Sequence, residues 1–230
     1  MTYRPIPFEA VKPEHKKTFE HANMYLHDVY GIMRGLPPAG GDGGGGTFVA
    51  ATALLSLLNA FSNFHLKGIV GVGRLADPLA RSYAFEVMPC EICKEKLAKG
   101  MGEHGKNFHT FLWKQLAWAH DSGRLVTKCC GVYALWVHFR HPLIHAAAID
   151  ESSTKAQRGK RGEPIVGKWG EIPAADQSIE RLEASCPGLP SWPALQDAKD
   201  EAGNDVHKLV IAPLYLITKD LIWRSALANS

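Results

Sequence analysis

Chemistry concentrates in the stretch FRHPLIHAA, residues 139–147, where Arg140, His141 and His145 close an apolar run. Arginine offers a planar, permanently charged fork that fits two phosphate oxygens. Histidine gives or takes a proton near neutral pH. Together they have the groups to activate an RNA 2′-hydroxyl, steady a crowded phosphorane and protonate the leaving oxygen without a metal ion. Five positions along an unbroken helix would turn the Arg140 and His145 side chains roughly 140° apart. Pro142 changes that, because it removes a backbone donor and drives His141 toward an extended conformation. A helix restarted at Pro142 carries His145 in its first turn, facing back toward Arg140, with N–H groups that favour an anion. The plainer alternative is a helix C-terminus at which Arg140 caps carbonyls and His145 is hydrogen-bonded at the edge of the core.

The elements that must hold these residues are mainly helical. Over 14–34, Phe19, Ala22, Leu26, Val29, Tyr30 and Met33 recur at three- and four-residue steps, an amphipathic helix. His21 and His27 on that helix are assigned to its surface or an interface. The glycines and prolines of GLPPAGGDGGGG, 35–46, end it. Thr47 is the expected N-cap of a second helix, 48–66, apolar nearly all round and so central to the core. After a glycine-rich connection, further helices are expected from Pro78, near 105–120, and near 126–139, with Trp113, Trp118 and Trp136 as core or interface aromatics. From 150 to about 180 the chain is polar and reads as a mobile basic loop with a short hairpin around Ile165–Ile172. A strand at 207–212 and a helix at 213–227 close the chain. The expected architecture is a single domain over 1–230, with a helical core over 14–149 and a small β addition near the C-terminus.

Other motifs carry less. CEIC, 90–93, has the gap at which two thiolates grip one zinc, but no second pair stands at standard spacing, so Cys90 and Cys93 read as free thiols. GGDGGGGT, 40–47, lacks the lysine of a phosphate-binding loop and follows a helix where such a loop follows a strand. Lys155, Arg158, Lys160 and Arg161 sit close together shortly after His145, where they could hold an RNA backbone through salt-sensitive contacts. The net charge of +3 is too mild to mark the whole chain as a nucleic-acid binder. Five cysteines, an odd number, and an N-terminus without a charged-then-apolar leader point to a reducing, cytoplasmic setting. The longest apolar run, 47–61, is short of the ~20 residues that cross a bilayer, so no membrane partner is expected.

ALWVHFRHPLIHAA resembles the signature segment of HEPN-superfamily domains, an apolar helix leading into an arginine, a polar residue, a few apolar residues and a histidine. The wider layout is similar, over about 14–149 and 207–227, to uncharacterised bacterial proteins carrying that segment, though only the short signature is specific. The resemblance implies an all-α bundle that commonly dimerises, bringing two arginine–histidine pairs into one cleft. Many such domains are metal-independent endoribonucleases, often toxins or defence proteins with a cognate inhibitor; others bind nucleotides or partners without catalysis. Carried over, Arg140 and His145 take the catalytic positions. His141 takes the polar position, where the family favours asparagine or another small polar residue. The expectation is thus a homodimeric, cofactor-free ribonuclease acting on RNA. Its rival is a non-catalytic nucleotide-binding or interaction module, and a zinc-stabilised protein stands further off.

Overall fold

A computed structural model describes residues 2–35, 44–70, 108, 112, 134–140, 143, 165–188, 191–199 and 202–228. The fold is mainly α, with a three-stranded sheet near the C-terminus. Helix α1, Pro13–Gly35, buries Phe19, Ala22, Leu26, Val29, Tyr30 and Met33, the stripe its periodicity requires. Helix α2, Gly44–Val70, packs against it, with the Phe19 and Phe61 rings in edge contact at 5.2 Å. The helix starts before Thr47, so three glycines of the expected connection are helical and Thr47 is not its cap. The Thr47 side chain is instead buried within the first turns.

The C-terminal helix α4, Ile211–Ala228, is buried from Ile211 through Ile222. A helix apolar nearly all round belongs in the interior, and α1, α2 and α4 pack on one another around it. Between 165 and 210 the chain makes more regular structure than a mobile loop. Strand β1, Ile165–Gly167, a seven-residue helix α3, Ile179–Ser185, and strands β2, Leu195–Lys199, and β3, Asp205–Val210, follow in turn. Ser178 caps α3 by accepting from the Arg181 amide.

The strand order is β1-β3-β2. β2 runs antiparallel to β3, with Leu195 opposite Leu209 and Asp197 opposite His207, while β1 joins the other edge in parallel, with Ile165 opposite Lys208. β1 is therefore not half of a local hairpin. Its partner lies some forty residues ahead, and no short-range pattern could announce it. Gly170, at φ +59°, makes the turn after β1, where a Cβ would stand 2.7 Å from a Val210 methyl and 2.8 Å from Gln196 Oε1. Among the described residues, no helix is long and apolar enough to cross a membrane.

Candidate functional site

Arg140 is the last residue of a π-helical turn, Leu135–Arg140. Such turns are rare, and they recur at functional sites. Trp136, four residues earlier, presents its indole to the guanidinium, whose carbon stands 4.1 Å from the ring centroid. The indole packs in turn on Phe108, with ring centroids 5.2 Å apart. Both Arg140 and Trp136 are only 8% exposed. Burial pulls the Arg140 pKa below its ordinary value. Among the described residues the Arg140 Nε proton meets no acceptor. The side chain is thus oriented by an aromatic face, with its Nε donor unanswered among the described residues.

The opposite flank of the turn meets the sheet. The His138 ring lies 5.5 Å from that of His207 on β3, and His207 Nδ1 stands 3.4 Å from Asp197 Oδ1 across the β2–β3 pair. These residues tie the π turn to the C-terminal sheet. Among the described residues, no group of three or more histidine, cysteine or acidic side chains is placed to hold a metal ion. His141, His145, Lys155, Arg158, Lys160, Arg161, Cys90 and Cys93 lie outside the described residues. Of the sequence-expected site residues, Arg140 alone is among the described residues, and it rests on Trp136, which reads from sequence as a core or interface aromatic.

A second charged cluster escaped the sequence reading. Glu183 of α3 and Lys219 of α4 are both buried and meet at 2.7 Å and 2.6 Å through the two carboxylate oxygens. Tyr215 donates its hydroxyl to the same carboxylate, and the Arg4 amide donates to Oε2 at 2.7 Å. The Lys219 ammonium also lies 4.0 Å from the centroid of the Tyr3 ring. Burial lowers the Lys219 pKa, and the hydrogen bonds and charge of Glu183 oppose that fall. Burial pushes the neighbouring Cys186 thiol up to about 12. Every strong donor and acceptor at this ion pair is answered and water is excluded, so the cluster fastens the N-terminal segment, α3 and α4 together. The sequence signal is the Lys219-Asp220 pair set within a largely apolar run, which demands buried partners.

No family model, no curated protein and no solved structure matches this chain.

Proposed function

We propose that the chain is a metal-independent endoribonuclease of HEPN type, in which Arg140 grips the scissile phosphate and His145 moves the protons. One observation carries the reading: a buried guanidinium, oriented by Trp136, whose Nε finds no acceptor among the described residues. A desolvated cation without a matching anion is costly, and a bound phosphate repays that cost through charge-assisted hydrogen bonds. In the reaction, the RNA 2′-oxygen gives its proton to an imidazole and bonds to phosphorus. The bond from phosphorus to the 5′-oxygen breaks, and that oxygen takes a proton. The products are a 2′,3′-cyclic phosphate and a 5′-hydroxyl. His141 orients the phosphate, the Lys155–Arg161 basic residues hold the RNA backbone, and a homodimer brings two such sites together, open to a cognate inhibitor.

The low exposure of Arg140 favours a second reading, a nucleotide-binding or interaction module in which the arginine is a helix-junction residue. Wild type, Arg140→Ala and His145→Ala, each checked for folding by circular dichroism, would be compared on mixed RNA with EDTA present. Cleavage by wild type that vanishes in both folded variants supports the ribonuclease. No cleavage, with both variants losing stability, replaces it with the second reading.

A further inference from the structure

Far along the chain from Arg140, α1 and the N-terminal segment enclose an open depression of about 620 Å³. That volume falls within the range of small-molecule sites, roughly 300–1,000 Å³. Its walls include the rings of Tyr3, His27 and Tyr30, with Asn23, Asp28 and Arg34 among the polar lining. Asn23, His27, Tyr30 and Arg34 follow at four-, three- and four-residue steps, so they form one stripe of α1.

The aromatic wall is built, not incidental. The Tyr3 hydroxyl donates to Asn23, with Oδ1 at 2.7 Å and the carbonyl oxygen at 3.1 Å. The ring meets His27 edge-on at 5.1 Å and Tyr30 at 5.8 Å, and its π system also lies 4.0 Å from the buried Lys219 ammonium. Tyr3 is thereby held in one orientation before any ligand arrives, which lowers the cost of binding.

Gly31 adjoins the stripe without lining the depression. It lies on the same arc of α1, between Arg34 and Asp28 on the helical wheel. A Cβ built there meets nothing within 4 Å. Glycine inside a helix weakens it relative to alanine, and packing gives no reason for it here. Its missing side chain leaves the strip of α1 between Arg34 and Asp28 open to solvent.

We propose that this depression binds a guanine-type nucleotide. The flat base lies against the aromatic wall, where stacking serves any base. The Asp28 carboxylate accepts the neighbouring N1–H and N2–H of guanine, a donor pair that adenine and uracil lack. The phosphate goes to Arg34, whose present pairing with Glu180, 3.6 Å across solvent-exposed side chains, is readily exchanged. The same chemistry arrives as a free mononucleotide or as one residue of single-stranded RNA. The site does not depend on the Arg140 reading, because none of its groups belongs to the π turn.

The test is calorimetric titration of the full chain with GMP, AMP and short guanosine or adenosine oligonucleotides. The exposed positions Asp28→Asn, Arg34→Gln and Gly31→Leu would be examined alongside, with Arg140→Ala as a control. GMP binding that exceeds AMP binding, falls about tenfold in D28N or R34Q (one charge-assisted contact) and is blocked in G31L supports a free-nucleotide site. Guanosine oligonucleotides that bind where GMP does not, with the same variant losses, support the RNA source. If any variant fails to fold, the remaining two decide. No guanine preference, or binding indifferent to the folded variants, overturns the proposal. Loss of binding in R140A alone also overturns it, since the ligand then sits at the π turn.

Discussion

Two buried cations in this protein are treated in opposite ways. Lys219 shares both oxygens of Glu183, with Tyr215 and the Arg4 amide completing the carboxylate's shell. Arg140 has an indole face beneath it and an Nε without an acceptor among the described residues. Both are desolvated, yet among the described residues only the first has its hydrogen-bond partners. A fully answered ion pair resists exchange and serves architecture, whereas a guanidinium with a donor unanswered among the described residues is the one the proposed function assigns to a phosphate.

The buried ion pair is most vulnerable at Glu183. Glu183→Ala strands the Lys219 ammonium in the interior and should cost about 3–5 kcal/mol, read from urea or thermal unfolding. The double variant Glu183→Leu, Lys219→Met removes both charges and should lose less than Glu183→Ala alone. A double variant as damaged as the single would mean that packing, not charge, dominates there.

An alkaline titration tests the same cluster. Cys186 ionises near 9 when unfolded and only at about 12 in the folded protein. The folded state therefore holds more protons between those values, so stability, intact below pH 9, is lost as pH rises through the window. The Tyr3 and Tyr215 hydroxyls, also pushed up chiefly by burial, act in the same direction. Cys186→Ala should flatten part of that alkaline decline in a denaturant series. At pH 8 the wild-type thiol should resist alkylating reagents until the chain unfolds.

At the other pole, Arg140→Met removes a buried donor that no described group satisfies. Stability should rise by roughly 1–2 kcal/mol while RNA cleavage disappears. A variant that loses stability to the degree of Glu183→Ala would place Arg140 with Lys219 as architecture. The smallest effect is expected at Gly31→Ala, where helix propensity gains ~1 kcal/mol and the open surroundings add no clash. Thermal unfolding checks it.

Helices with a clear stripe could be read from sequence alone. Phe19, Leu26 and Met33 announce α1, and the largely apolar KLVIAPLYLITKDLI segment announces β3 and α4, with the strand-to-helix junction expected two residues later than it falls. Non-local structure could not. β1 is three residues long and finds its partner across the intervening α3, so nothing within its own window encodes the pairing. α3 is seven residues, too short for a periodic signal, and takes its stability from Glu183 and Ile179 meeting the core. At the candidate site, the residue types marked Arg140, but not its bed. Trp136 looked like core, and it is core on one side and an arginine platform on the other. His27 reads as surface or interface, without a partner segment, because a depression formed jointly with the N-terminal segment is invisible to a helix read on its own.

The bond from the Arg4 amide to Glu183 spans 179 residues, and the Arg4 guanidinium reaches the Cys186 carbonyl at 2.6 Å across 182. Such a clasp has a timetable. At translation speeds of about 5–20 residues per second, Arg4 leaves the ribosome on the order of ten seconds or more before its acceptors exist. During that interval α1 and α2 have each other but not α4, whose buried face they will later share. The N-terminal segment must wait unfastened, so the nascent chain passes through a stage in which the α1 and α2 faces that later meet α4 have no partner. Synthesis of the last fifth of the chain closes the clasp and ends that exposure.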